Sequence, residues 1–218
     1  FLFRYKLKQV RTVAPFVLSV GNLTVGGSGK TPMVEYISTF LFSNNINHSI
    51  VSRGYKRKSS GVVVVSDGDN ILASVDDSGD EPFLLAHALP RTPVVVGNKL
   101  KALQLSANLF LNDVIIIDDG FQTINIGRDL DLVLIDLSVN IKNYRLFPLG
   151  LLREPLSAIK RADVVVFTKY NYDAGDAQKI KSLLLPHINK KTTSVFEANY
   201  TACLKKYSKN QLRFIFCS

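Results

Sequence analysis

Hydrophobic residues along this chain fall in short dense runs, separated by longer stretches in which apolar and polar positions recur at helical spacing. The dense runs are Phe16 to Val20, Ser49 to Ser52, Gly61 to Ser66, Pro93 to Val96, Val114 to Ile117, Leu132 to Ile135 and Val164 to Thr168. Several are solid Val and Ile, which predicts strands buried on both faces of a sheet. Thr31 to Ser43, Asp80 to Ala88, Lys99 to Leu109, Glu154 to Ala162 and Ala174 to Leu185 read as helices, with Gly or Pro marking most of their ends. Such alternation predicts βαβ units, hence an α/β fold with a mainly parallel sheet flanked by helices. After Pro186 the pattern weakens, although Arg213 to Cys217 reads as one more strand. The expected organisation is a core domain over 1–185 and the start of a smaller C-terminal lobe over 186–218. Opening at Phe1 rather than Met and closing inside an apolar run, the sequence reads as a fragment lacking both ends.

One segment gives this pattern a chemistry. Ser19-Val-Gly-Asn-Leu-Thr-Val-Gly-Gly-Ser-Gly-Lys-Thr follows a predicted strand and opens a predicted helix, the context that a phosphate-binding loop requires. Successive glycines let backbone N–H groups turn toward an anion, and the helix N-terminus adds a fixed positive potential. Thr24, Val25, Gly26, Gly27, Ser28 and Gly29 would cradle the nucleotide phosphates. Lys30 would reach the β- and γ-phosphates, and the Thr31 hydroxyl could ligate Mg²⁺. Thr24 stands where the strict G-x-x-x-x-G-K-[ST] pattern has its first Gly. A Gly-rich turn between strand and helix is the plain alternative. The fold class expected with the loop included is P-loop NTPase-like.

A P-loop enzyme needs a carboxylate at a neighbouring strand end to organise Mg²⁺, and Val114-Ile-Ile-Ile-Asp118-Asp119-Gly120 has that form. Asp118 is the metal-side candidate, though a strand ending in a polar turn would look the same. The cluster Asp76-Asp-Ser-Gly-Asp80-Glu81-Pro82 precedes a predicted helix, so Asp80 or Ser78 could cap that helix. Alternatively, Asp80 could accept a proton from an attacking hydroxyl. Arg53, in Ser52-Arg-Gly-Tyr, and Arg153, in Arg153-Glu154-Pro155, place guanidiniums where planar bidentate phosphate recognition is available.

Composition narrows the partners. A net charge of +9, from 27 Lys and Arg against 18 Asp and Glu, favours anionic ligands or surfaces. Basic residues cluster at Arg4, Lys6, Lys8 and Arg11, at Arg53, Lys56, Arg57 and Lys58, and at Lys205, Lys206 and Lys209. Phe and Tyr are dispersed rather than gathered into a base-stacking platform, so no nucleic-acid partner is expected. His48, His87 and His187 lack metal-ligand spacing and read as structural. Two cysteines, Cys203 and Cys217, fit neither a metal motif nor a disulfide framework and suit a reducing compartment. No apolar run approaches the roughly 18–20 residues of a spanning helix.

Six motifs occur in order: Gly21-Asn-Leu-Thr-Val-Gly-Gly-Ser-Gly-Lys-Thr-Pro, Ser52-Arg-Gly-Tyr, Gly79-Asp-Glu-Pro, Asp118-Asp-Gly-Phe-Gln, Arg128-Asp-Leu and Leu152-Arg-Glu-Pro. Together they closely resemble the tetraacyldisaccharide 4′-kinase family of the lipid A pathway in Gram-negative bacteria. The resemblance implies transfer of the ATP γ-phosphate to the 4′-hydroxyl of a tetraacyldisaccharide 1-phosphate lipid, at the cytoplasmic face of the inner membrane. It also implies an N-terminal membrane-associating segment and no obligate protein partner. By position it makes Asp80 the catalytic base and gives Asp118 and Asp119 to metal and transition state. Glu154 would support the metal site, while Arg53 and Arg153 would stabilise phosphate charge. Two positions depart from the family pattern. Thr123 stands where the family has His after Asp-Asp-Gly-Phe-Gln, and the later Phe-Pro-Asp-His segment has no counterpart before Ser218.

Three other readings of the loop make different demands. A GTPase would need Asn-Lys-x-Asp after a late strand, and Thr168-Lys-Tyr-Asn171 lacks its carboxylate. A partitioning-type ATPase carries a Lys before its paired glycines, where this chain has Val25. A basic binding module with a vestigial loop would differ in whether it engages Mg-ATP at all.

Overall fold

The computed structural model describes residues 11–169, 174–189, 191–199, 201–208 and 211–217, with backbone alone for 174–175, 201–208 and 211–217. Arg4, Lys6, Lys8, Tyr170, Asn171 and Lys209 lie outside the described residues, as do the side chains of Cys203, Lys205, Lys206 and Cys217. The dense apolar runs form strands β1 (Phe16–Asn22), β2 (His48–Ser52), β3 (Val63–Ser66), β4 (Val94–Val96), β5 (Val114–Asp118), β6 (Leu130–Asp136) and β7 (Val164–Thr168), and a further strand, β8 (Ser194–Ala198), follows where no apolar run was expected. They hydrogen-bond as an eight-stranded sheet in the order β3-β4-β2-β5-β1-β6-β7-β8. Pairs β1–β5, β2–β5, β2–β4 and β7–β8 are parallel, while β3 runs antiparallel to β4 at one edge. The expected mainly parallel α/β architecture is therefore what the chain adopts. Further on, β9 (Thr201–Ser208) and β10 (Gln211–Cys217) form a separate antiparallel pair.

Helices α1 (Lys30–Ser43), α2 (Val75–Ser78), α3 (Asp80–Ala88), α4 (Lys99–Leu109) and α5 (Ala174–Leu184) supply the connections. One expected helix is corrected. Over 154–162 the structure has a 3₁₀ helix, Leu156–Arg161, opened by Pro155 with extended backbone (ψ 150°). Pro155 bars the helical conformation for Glu154 before it, and the six-residue segment that remains tightens into 3₁₀ turns.

Two compact units are distinguished: Met33–Leu132 with the segment up to Gly21, and Asn22–Pro32 with Val133 onward. In the first, Val17, Val51, Val95, Ile115 and Ile117 from the sheet pack with Ala102 and Leu103 of α4 and with Ile126. Register there sets the functional edge, because Val20 faces Asp118 across β1–β5 and Ser52 faces Val96 across β2–β4. The first unit's parallel strands thus end together, with Ser52 and Asp118 at that edge. The opposite end is tied by His48, which is buried: its Nε2 bonds Ser38 Oγ of α1 at 2.6 Å and its Nδ1 lies 3.0 Å from the Ile46 carbonyl. Nδ1 therefore donates to that carbonyl and Nε2 accepts. Burial holds the His48 pKa below the usual imidazole value, against a smaller opposing effect of the Ile46 carbonyl. In the second unit Val165, Phe167, Ile159, Ile180 and Leu184 are buried together with the inner residues of β6, Val133 to Ile135.

Candidate active site

The second unit holds the phosphate loop. Its backbone is tied down on one side by Val25 N–H donating to the Leu151 carbonyl (2.7 Å) and Arg153 N–H donating to the Leu23 carbonyl (2.8 Å). On the other side, Thr168 Oγ1 donates to the Ser28 carbonyl at 3.4 Å and Lys169 Nζ to the Gly27 carbonyl at 3.1 Å. Gly26 has φ 117°, a conformation that L side chains resist, and a Cβ added at Gly26 or Gly27 would meet nothing within 4 Å. The loop thus presents bare backbone to open space at the N-terminus of α1, where aligned N–H groups favour an anion. Ser28 Oγ is buried and has no hydrogen-bond partner among the described residues, so a hydroxyl stands ready for a phosphate oxygen. Lys30 opens α1, and its Nζ donates to Asn22 Oδ1 at 3.3 Å. Thr31 follows, half-buried, in the first turn.

Two residues to which motif reasoning gave no role support this loop. Asp136 ends β6, buried, and accepts from Ser138 N–H (2.8 Å) and Ser138 Oγ (2.6 Å) on one oxygen and from Lys169 Nζ (2.5 Å) on the other. Lys169 just after β7 holds φ 56° and bridges that carboxylate to the Gly27 carbonyl. The only sequence signal was a polar residue at each of two strand ends, 33 positions apart. Nearby, burial and then the Asp136 charge push the Tyr144 pKa up, and its hydroxyl, kept protonated, donates to the Asp136 carbonyl at 3.4 Å.

Arg153 and Glu154 also belong to this unit. Glu154 is gripped by Arg161 in a two-pronged pair, Nη1 to Oε2 at 2.8 Å and Nη2 to Oε1 at 3.0 Å. Both its oxygens are therefore committed to a guanidinium, which fixes the orientation of the carboxylate. Arg153 is half-buried beside the 151–153 backbone that ties to the loop.

The first unit gathers Asp118, Asp119, Arg53 and Asp80. Asp118, the last residue of β5, is buried and accepts from Ser52 Oγ at 3.0 Å. Asp119 turns away at once: its φ of 53° is left-handed, a region Asp tolerates better than most residues, and its carbonyl accepts from Lys99 Nζ. The two adjacent carboxylates are thereby led into different surroundings, one buried and one half-exposed.

Asp80 is seated by main chain. Gly54 (φ 70°) and Gly79 (φ 85°) interlock: a Cβ at Gly54 would stand 2.6 Å from the Ser78 carbonyl, and one at Gly79 would stand 2.7 Å from the Tyr55 carbonyl. Only glycines allow the Ser52-Arg-Gly-Tyr and Gly79-Asp-Glu-Pro segments to lie this close. The N-cap of α3 is Gly79, with no side-chain cap bond, so neither Ser78 nor Asp80 caps it. Ser78 Oγ instead donates to the Ser74 carbonyl at 2.8 Å. Asp80 is exposed at the first position of α3, and its carboxylate makes no hydrogen bond among the described residues.

Beside this seat lies a cavity of about 490 Å³ lined by Arg53, Arg57, Lys99, Asn98, Ser59 and Thr123, among others. Arg57 is braced on Ser59 Oγ (2.9 Å) and the Gly61 carbonyl (2.5 Å), while Arg53 is exposed. Three cations and several donors make it a cavity for an anion. A further cavity of this unit, about 510 Å³ between Phe42, His48, Arg91 and Leu111, contains none of the candidate residues.

Among the described residues no group of three or more His, Cys, Asp or Glu side chains could form a metal cage. Mg²⁺ needs none, since it is commonly held by one or two carboxylates together with substrate phosphates and water. In the second unit Thr31 offers a hydroxyl, and in the first unit Asp118 offers a buried carboxylate, each a donor type that Mg²⁺ accepts. No helix among the described residues is long and apolar enough to cross a membrane.

Comparison with known proteins identifies the family. The family model described as Tetraacyldisaccharide-1-P 4′-kinase matches residues 1–215. A tetraacyldisaccharide 4′-kinase of Halothermothrix orenii is 39% identical over 209 residues, 94% of this chain and 54% of its own length. That of Geobacter metallireducens is 46% identical over 167 residues, 76% of this chain and 48% of its own. The crystal structure of the "apo" form of LpxK from Aquifex aeolicus in complex with ATP superimposes with a TM-score of 0.78 at 36% identity, covering 93% of this chain and 59% of that one. The chain spans about half the length of the curated relatives it matches. Sequence and fold agree, and this chain belongs to the tetraacyldisaccharide 4′-kinase family.

Proposed function

We propose that the chain is the nucleotide-binding part of a kinase that transfers the γ-phosphate of ATP to the 4′-hydroxyl of a tetraacyldisaccharide 1-phosphate, forming lipid IVA in lipid A biosynthesis. The observation that carries this reading is the loop over 24–31: bare glycine backbone facing open space, a spare buried Ser28 hydroxyl and Lys30 at a helix N-terminus. Family membership supports this acceptor, and the relative in complex with ATP supports this donor.

In this reading Thr24 to Thr31 hold the phosphates and Lys30 follows the charge that develops on the γ-phosphoryl oxygens. Asp80, free of capping duty, accepts the proton of the attacking hydroxyl. Asp119, Arg53 and Arg153 balance charge around the transferring group. Mg²⁺, with Thr31 and Asp118 as its protein ligands, would supply further neutralisation of phosphate charge. Glu154, held in the fork of Arg161, supports the metal side through its fixed negative charge. Residues 1–185 then form the kinase core and 186–218 open a smaller lobe. A lipid acceptor sets the work at a membrane surface, the cytoplasmic face of the bacterial inner membrane, and the +9 charge suits an anionic one.

The test is transfer of labelled γ-phosphate from ATP to the disaccharide 1-phosphate lipid, using this chain beside a version extended to the length of its relatives. Asp80→Asn in the active form should abolish turnover and leave ATP affinity within about twofold, as expected for a group acting only in the chemical step. Equal loss of binding and turnover would remove Asp80 as base. ATP binding without transfer by either form would withdraw the lipid kinase.

A further inference from the structure

The stretch from Lys142 to Leu152 is a loop of the second unit whose base braces the phosphate loop through the Leu151 carbonyl and whose tip the phosphate chemistry does not use. It is closed by its own backbone: Leu152 N–H donates to the Arg145 carbonyl (2.9 Å), Phe147 N–H to the Leu152 carbonyl (2.9 Å) and Leu151 N–H to the Asn143 carbonyl (2.8 Å). At its base Tyr144 and Leu152 are buried, at 7% and 3% exposure. Its tip is the reverse. Leu146, Phe147 and Leu149 are 47%, 71% and 83% exposed, and Pro148 between them is exposed as well. Single exposed apolar residues are ordinary, but four in succession on a backbone that is held in place are not.

Charge decides what the tip is built to meet. From Leu137 to Arg153 the sequence contains no Asp or Glu, yet carries Lys142, Arg145 and Arg153. Lys142 and Arg145 are exposed and make no ion pair among the described residues. An apolar point with unpaired cations at its shoulders is the profile of an element that enters the boundary between head groups and acyl chains, with the cations at phosphate depth. We infer that the 146–149 tip docks the protein on an anionic lipid bilayer, with Leu146, Phe147 and Leu149 entering the interface and Lys142 and Arg145 against lipid phosphates. This rests on the proposed lipid acceptor and names the surface on which that acceptor is met.

The sequence contains no Trp, so Phe147→Trp gives a single reporter at a position too exposed to strain the fold. Vesicles of phosphatidylcholine with phosphatidylglycerol should shift its emission to the blue, and brominated acyl chains should quench it. Vesicles of phosphatidylcholine alone should bind about thirtyfold more weakly, given roughly 1 kcal/mol for each of the two basic residues at an anionic surface. The paired change Leu146→Ser with Leu149→Ser should cut vesicle binding about tenfold or more while its urea midpoint stays put. Unchanged emission from the Phe147→Trp reporter in vesicle-bound protein would overturn the inference, and so would equal binding to neutral vesicles. Emission that responds only when the disaccharide lipid is added would overturn it too, and would give the tip to the acceptor instead. Apart from that last comparison these measurements need neither ATP nor acceptor, so their failure leaves the kinase reading standing. Absence of phosphate transfer to detergent-dispersed acceptor would in turn leave the vesicle result standing.

Discussion

Replacing Lys169 by Met keeps the aliphatic stem and removes the charge that links Asp136 to the phosphate loop. Nζ lies 2.5 Å from Asp136 Oδ2 and 3.1 Å from the Gly27 carbonyl, and the two side chains are 32% and 6% exposed. At an effective dielectric of about 20, unit charges at that separation attract by roughly 6–7 kcal/mol, most of it offset by the cost of desolvating the carboxylate. Deleting one partner of a fully buried pair costs about 3–5 kcal/mol, and of an exposed pair about 0–1. Lys169 is intermediate, and Asp136 retains both bonds from Ser138. A loss of about 1–2 kcal/mol in stability follows for Lys169→Met. Because the same ammonium holds the Gly27 carbonyl, a similar amount should appear in nucleotide binding, an ATP Kd weaker by about 5–30-fold. Urea unfolding and calorimetric titration with Mg-ATP measure the two quantities. Asp136→Asn and the double variant complete a cycle whose coupling should be about 1 kcal/mol. Unchanged affinity in Lys169→Met, or losses that simply add, would refute the idea that this pair braces the loop.

Two further predictions concern the first unit. Gly79→Ala would put a methyl 2.7 Å from the Tyr55 carbonyl at φ 85°; left-handed strain of about 1–2 kcal/mol plus the displaced backbone should lower unfolding free energy by about 2–4 kcal/mol. A urea-derived loss under about 1 kcal/mol would show that the two segments part without cost. His48, its folded pKa lowered by burial, is neutral in the native state while the unfolded chain takes up a proton below the ordinary value of 6.5. Stability should therefore be intact above that pH and fall as pH drops from 6.5 toward the lowered native pKa. His48→Gln should flatten this part of the pH–stability curve, and an unaltered slope would locate the acid sensitivity elsewhere.

The fold was readable where burial was two-sided. The runs behind β2, β4 and β5 are almost wholly buried, and α3 and α4 begin and end at the residues that spacing predicts. β8 escaped notice because Ser194–Ala198 is exposed through most of its length, so no hydrophobic pattern marks it. The phosphate loop was legible because its chemistry is local: glycines, a lysine and a helix start, all within a few residues. Asp136 and Lys169 were not legible, since their meaning lies in a contact between two strand ends that no short motif encodes. Asp80 shows an intermediate case. Its neighbours fit a helix cap as well as a catalytic carboxylate, and the structure removes the cap by giving Gly79 the capping position.

Where Gly54 meets Gly79, the chain is joined by peptide groups and not by side chains. A joint of that kind has no rotamers, so it has no conformational slack to lose when a ligand arrives and none to vary with the identity of its neighbours. Tyr55 contributes its carbonyl to the joint while its ring is 75% exposed, so replacing that ring should leave the seat of Asp80 undisturbed. The alignment of Asp80 is thus blind to most substitutions around it and acutely sensitive to two. Damage there should come in a single step, from one added methyl group, rather than by gradual erosion of the surrounding packing.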